Sequence, residues 1–175
     1  MRGRRFSMKA SSELPRIRPA DPSDIETIHA MLLEAAAWVD ALGVVMWEDG
    51  ELEQDTLARE VRAGQFYIAD VGGEAAGAIR FQTEDLLFWP DIPQASSAFV
   101  HRLVVRRAFK GTGVSTALLR WAVDHARALG KTWLRLDCDN GRPKLKALYE
   151  RFGFERHSHR QVGPYYVARY EYRLT

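Results

Sequence analysis

Cysteine is nearly missing from this chain: Cys138 is the only one in 175 residues. A single thiol excludes an internal disulfide framework and any cysteine-rich metal centre, and it points to a reduced, cytoplasmic setting. Also missing is an apolar run long enough to cross a bilayer. The charge surplus is slight and misleading. Formal net charge is +2, yet residues 1–12 hold three arginines, one lysine and no acid, so the remainder sets 21 basic against 23 acidic side chains, or −2. Nucleic-acid binding rests on excess Lys and Arg neutralising phosphate, and composition speaks against it. The basic opening MRGRRFSMKASS has no apolar segment behind it, so it does not read as a secretory signal. Residues 1–13 are expected as a disordered leader and 14–175 as one domain. Metal-binding patterns are absent too: no HExxH pair occurs, and His157 and His159 share a strand face without an obvious third ligand.

What is present is an alternation of helical and strand patterns. RIRPADPSDIETIHAMLLEAAAWV reads as a short strand feeding a helix, with Asp21 as N-cap, Pro22 at the first helical position and Asp24 in the first turn. Ile25, Ile28, Leu32, Ala36 and Val39 then share a face. A loop, VVMWEDG, precedes a second helix over Leu52 to Arg62. QFYIADVGGEAAGAIRFQ is two strands joined across Gly72-Gly73. A proline-broken loop, TEDLLFWPDIPQASS, leads to the strand AFVHRLVV. The next helix places Val114, Ala117, Leu118, Trp121, His125 and Leu129 on one face and stops at Gly130. KTWLRLDCD is a further strand, and Pro143 starts a short helix that ends at Gly153. ARYEYRL alternates Tyr170, Tyr172 and Leu174 against Arg169, Glu171 and Arg173, the pattern of an antiparallel strand with one wet side. Such a strand at a sheet edge would allow a homodimer.

The stretch with most chemical content is LVVRRAFKGTGVSTALLRWA, a strand, a basic glycine-punctuated turn and a helix start. Backbone N–H groups converge at such a helix end and attract anions. It is not a Walker A loop, and Val114, Ser115 and Thr116 after Gly113 break the dinucleotide fingerprint. Taken alone, a plain strand-to-helix turn and an anion site remain equal readings.

That segment resembles the acyl-CoA-binding segment of the GNAT family of N-acetyltransferases, with its strand, Arg/Gln-x-x-Gly-x-Gly/Ala turn and third helix. DCDNGRPKLKALYERFGF is similar to the same family's strand, asparagine, short helix, tyrosine and Gly-Phe ending, and the order of elements agrees from Ile17 to Leu174. Two positions depart: Lys110 replaces the usual Arg or Gln, losing bidentate geometry, and Ser115 replaces the last Gly or Ala. The resemblance implies a single-domain α/β fold, a mixed and mostly antiparallel sheet of about six to seven strands flanked by about four helices. It implies acetyl-CoA as cosubstrate. The N–H groups of Gly111, Thr112, Gly113, Val114, Ser115 and Thr116 would hold its pyrophosphate. Backbone groups of Leu103, Val104 and Val105 would meet its pantetheine arm like an added strand. Lys110, Asn140 and Arg142 would complete the cofactor site.

The implied activity is transfer of an acetyl group to a primary amine of a small molecule, by direct attack in a ternary complex. Tyr149 matches the family's proton donor to the leaving thiolate. His101 is the best-typed base, since histidine titrates near neutrality, and the family's arylalkylamine branch has a histidine there. Asp85, Asp137 or a chain of waters would serve if His101 faced away. In this family the acceptor side is built by the first helices and the segment before the cofactor strand. Trp47 with Glu48, and Trp89 with Asp85, would there offer aromatic walls and carboxylates to a cationic amine. Two other readings stand beside this one: an acyl-CoA-binding sensor without turnover, and a protein or peptide N-acetyltransferase.

Overall fold

The computed structural model describes residues 13–41, 43, 47 and 50–175, so the expected leader, save its last residue, and Glu48 lie outside the described residues. A seven-stranded sheet carries the molecule: β1 (Arg16–Pro19), β2 (Phe66–Val71), β3 (Glu74–Gln82), β4 (Ser97–Val105), β5 (Trp133–Asp139), β6 (Glu155–Val162) and β7 (Tyr165–Arg173). Spatial order is β1-β2-β3-β4-β5-β7-β6. Every neighbouring pair is antiparallel except β4 with β5. Four helices flank it: α1 (Ile25–Asp40), α2 (Gln54–Arg62), α3 (Val114–Ala128) and α4 (Pro143–Phe152). Among the described residues no helix is long and apolar enough to cross a membrane.

The helix expected from Asp21 begins with a separate 3-10 turn, Pro22–Asp24, closed by a reciprocal capping box between Asp21 and Asp24. α1 and α2 pack on one face of the sheet, where Ile28, Leu32 and Leu57 meet Phe66, Ile68, Ala78 and Val104. α3 covers the other face with Leu118, Leu119, Ala122 and Val123 against Ile79, Phe81, Val100 and Leu136. Leu129, expected on that buried stripe, is 48% exposed, because α3 has already ended at Ala128 and the chain is turning toward Gly130. β7 differs from expectation as well. It is interior, with β6 as the edge strand. Its supposedly wet face holds Arg169 at 3% exposure, because the loop after β3 folds over it and Asp91 grips the guanidinium at 2.6 and 2.9 Å.

The parallel pair sets up everything that follows. β4 and β5 are in register only from Ser97–Val100 against Trp133–Leu136. Beyond that, His101, Val104 and Val105 pair with β3 alone, while Asp137–Asp139 pair with β7 alone. A register shift between Ala78 and Arg80 marks the departure, and opposite it Arg102 has φ +50°. Arg102 is the only non-glycine residue at positive φ among those described. Such a bulge bends its strand and re-aims side chains. Glu60 of α2 holds Arg102 at 2.7 Å and Arg80 at 2.9 Å, and the Glu51 carbonyl accepts from Arg102 at 3.1 Å. The two strands therefore splay, and a cleft opens between them.

Candidate active site

At one end of the cleft stands the start of α3. Gly111 and Gly113 have φ of +77° and +85°, and a Cβ on either would meet nothing within 4 Å. Gly113 is the N-cap, and no side chain caps the helix. The first intrahelical bond runs from the Ala117 N–H to the Gly113 carbonyl at 2.9 Å, so the N–H groups of Val114, Ser115 and Thr116 are left for another acceptor. An anion fits this open, positive helix end. Thr112 departs from the expectation: its N–H turns inward to the Phe109 carbonyl at 3.2 Å, as does its hydroxyl at 2.6 Å, which ties the turn itself. Lys110 extends over the Trp38 ring at 6.0 Å. Close approach of α3 to the sheet depends on Gly77, where a Cβ would lie 2.7 Å from the Val104 carbonyl oxygen and 3.0 Å from Val114 Cγ1.

At the other end the cleft widens into a cavity of about 680 Å³, which His101, Asp85, Asp137, Leu103, Arg142, Tyr149 and Trp47 all help to line. Asn140 is occupied elsewhere: its side-chain oxygen accepts from Lys146 at 3.1 Å and faces His159 Nε2 at 3.1 Å. His101 points inward and sits between two carboxylates. Its Nε2 lies 2.9 Å from Asp85 Oδ2, and its Nδ1 lies 3.8 Å from Asp137 Oδ1. Asp85 is locked in turn, accepting from the Leu87 and Phe88 N–H groups at 3.1 and 2.9 Å. Gln94 braces this loop from within, accepting from the Asp85 N–H and donating to the Trp89 carbonyl.

Electrostatics separates the two acids. Burial alone would raise Asp85, but the His101 contact and charge, with the two backbone N–H groups, outweigh it and hold the carboxyl below its usual value. Asp137 lacks that support. Burial pushes it up to about 6, and His101 pulls it only partly back. The Trp89 indole N–H also lowers it, without forming a well-shaped hydrogen bond. Tyr149 is 5% exposed, packed by Phe154 and Tyr170, and burial drives its hydroxyl well above the usual range. Cys138 is buried and pushed up to about 12, mainly by desolvation, so it remains a thiol and no nucleophile.

The wide end of the cavity is walled by Trp47, Phe88 and Tyr165, with Phe88 6.5 Å from Tyr165 and 6.0 Å from His101. Glu51 accepts from the Tyr165 hydroxyl at 2.8 Å. Trp89, expected here, is fully buried on the far side of its loop, with the Arg169 guanidinium 4.7 Å from its ring. The physical reason is the turn at Asp85, which sends Phe88 into the cavity and the adjacent Trp89 into the core. Phe88, Tyr165 and Glu51 were missed as wall residues. The first stood one place from a predicted residue, Glu51 directly follows the loop VVMWEDG that holds Trp47 and Glu48, and Tyr165 carried no local signal.

Comparison with known proteins follows the same lines. The acetyltransferase (GNAT) family model matches residues 30–154. The chain is 29% identical over 143 residues to YesJ of Bacillus subtilis strain 168, which is described as an uncharacterized N-acetyltransferase, covering 78% of this chain and 79% of that protein. A GNAT-family acetyltransferase from Listeria monocytogenes superposes with a TM-score of 0.72 at 23% identity, over 90% of this chain and 95% of the other. Salmonella typhimurium yncA, solved with its cofactor acetyl-CoA, superposes with a TM-score of 0.71 at 19% identity, over 93% and 95%. At those identities the two structures speak to the fold.

Proposed function

Because the chain belongs to the acetyltransferase (GNAT) family, we propose that it moves an acetyl group from acetyl-CoA to the primary amine of a small molecule, both bound at once. The observation that carries this reading is the half-buried His101 set between two carboxylates in the cavity where β4 and β5 separate, in a chain whose α3 begins with an open N-terminus. When bound, acetyl-CoA supplies an acetyl group activated as a thioester. The N–H groups at Val114, Ser115 and Thr116, with the open turn at Gly111 and Gly113, hold the pyrophosphate. Leu103 and Arg142 line the cleft where the pantetheine arm would lie. The strand's alternation turns Val105 to the same side, whereas the Val104 carbonyl faces Gly77 of β3.

The acceptor nitrogen must lose a proton before or during attack. His101 takes it, and Asp85 stabilises the imidazolium and fixes the ring. Tyr149 stands across the cavity, and burial keeps its hydroxyl protonated, the form a donor to the departing sulfur needs. Trp47, Phe88 and Tyr165 bound the acceptor and favour a compact amine with an apolar body.

Calorimetric titration with acetyl-CoA tests the reading. One site per chain is expected, weakened at least about tenfold in Gly113→Val, whose side chain would sit at positive φ in the anion cradle. Unchanged affinity in a folded Gly113→Val protein would displace the cradle.

A further inference from the structure

Glu60 of α2 has two cations to balance. Its Oε1 lies 2.9 Å from Arg80 Nη1 and its Oε2 lies 2.7 Å from Arg102 Nη1. The side chains of Arg80, Arg102 and Glu60 are only 19%, 11% and 13% exposed. A cluster buried to that degree with one charge too many is costly unless something neutralises it. Both arginines line the cavity. Their other contacts are neutral: Arg80 Nε donates to the Gln65 side-chain oxygen at 2.9 Å, and Arg102 Nη2 to the Glu51 carbonyl at 3.1 Å. Arg80 Nη2 and Arg102 Nε have no partner among the described residues. Acids from the neighbouring elements are engaged or turned out. Asp85 is held by His101 and two backbone N–H groups, Glu51 accepts from Tyr165, and Glu84 is exposed. Burial lowers the Arg80 guanidinium first of all; Glu60 opposes this, and the Arg102 charge adds to it. The chain also accepts a positive φ at Arg102, where the second guanidinium joins this wall.

We propose that Arg80 and Arg102 form the subsite for a carboxylate carried by the acceptor, so that the preferred acceptor is an amino acid with an apolar side chain. This rests on the acetyl-transfer reading above. Arg80 is the cross-strand partner of His101. Side chains so paired leave their strands on one face, with Cβ atoms about 5 Å apart. The groups they bind must therefore lie close together on one molecule, as the amine and carboxylate of an amino acid do. Charge selects the anion: a carboxylate cancels the single surplus, whereas a phosphate dianion would leave the cluster negative. Guanidinium groups take a carboxylate through paired N–H donors, and Arg80 Nη2 with Arg102 Nε supplies such donors. Trp47, Phe88 and Tyr165 are left for the apolar side chain. An amine without the carboxylate keeps the contact at His101 and loses the one at the arginines.

Matched probes separate the cases: L-leucine and L-phenylalanine, each set against the amine left when its carboxylate is removed, isopentylamine and 2-phenylethylamine. Binding is measured by calorimetry at pH 7.5 on protein saturated with CoA, which cannot react. In at least one pair the wild type is expected to bind the amino acid about tenfold or more tightly than its amine. Arg80→Gln leaves Arg102 and Glu60 as a neutral pair and should abolish that preference, while Arg80→Lys, which keeps the charge but not the fork, should retain part of it. Equal affinities within both pairs in the wild type, tighter binding of the amines, a preference that survives intact in Arg80→Gln, or no binding of any probe would overturn the assignment. Selective binding without thiol release from acetyl-CoA would leave this subsite standing and remove the transfer reading; release with the amines and no preference for the amino acids would do the reverse.

Discussion

Asp137 is costly to the fold. Its carboxyl is pushed up to about 6 from an ordinary 3.8, and burial is the chief cause. A group whose value is raised on folding favours the native state below its unfolded value and loses that contribution as pH climbs through the folded one. Between about 4 and 6, then, Asp137 erodes stability, and above 6 the whole loss, on the order of 2–3 kcal/mol, is in place. Asp137→Asn should therefore melt higher than the wild type at pH 7.5, with the gap closing toward pH 4. A lower melting temperature at pH 7.5 would show that the carboxylate supports the fold instead. Tyr149 makes the opposite kind of prediction. Because burial keeps its hydroxyl protonated across the working range, Tyr149→Phe should lower kcat by about 10²–10³ and leave the shape of the pH profile unchanged. A kcat within threefold or so of wild type would remove Tyr149 from the proton transfer.

At the scale of elements, the cradle is only as well placed as α3. Gly77 lets the first turn of α3 settle on β3, with Val114 and Leu118 closing over the position a side chain would take. Gly77→Ala forces a Cβ within 2.7 Å of a backbone oxygen, which cannot give way as a side chain would. The expected cost is about 1–3 kcal/mol in urea unfolding, together with weaker acetyl-CoA binding as the helix start is displaced. Stability and affinity both at wild-type values would contradict that dependence. Elements were the part of the structure most legible in the sequence. Periodicity and punctuation gave the hairpin at Gly72-Gly73, the helix after Gly113 and the short helix from Pro143, since each is decided by local chemistry. The loop after β3 was legible only as a loop. Which of its aromatics would reach the cavity hung on Asp85 capping Leu87 and Phe88, and on Asp91 reaching Arg169 across 78 residues. Register failed for the same reason: nothing near ARYEYRL says that β6 lies outside it or that Arg169 is covered.

At the scale of the whole molecule, one geometric event links fold to chemistry. β4 and β5 begin as partners and then separate, and His101, Leu103, Asp137, Asp139 and Arg142 line the cavity that opens there. The strand, glycine turn and helix start were legible from spacing, which left an anion site and a plain turn as equal readings; only the family resemblance singled out the cradle. The cluster of Asp85, His101 and Asp137 was named only as separate candidates, since they come from a loop and two strands that meet through the fold. The Arg102 bulge had no sequence signal at all. It is held by Glu60 and the Glu51 carbonyl, contacts more than 40 residues away in the chain.

The most direct test of the central claim is thiol release from acetyl-CoA by the purified protein, followed on addition of a panel of small alkylamines and, separately, of peptides. The account predicts release that depends on a small amine, saturates with it, and leaves one N-acetylated product per thiol. Acetyl-CoA bound without release from any alkylamine would contradict it, and release with peptides alone would move the acceptor from a small molecule to a protein.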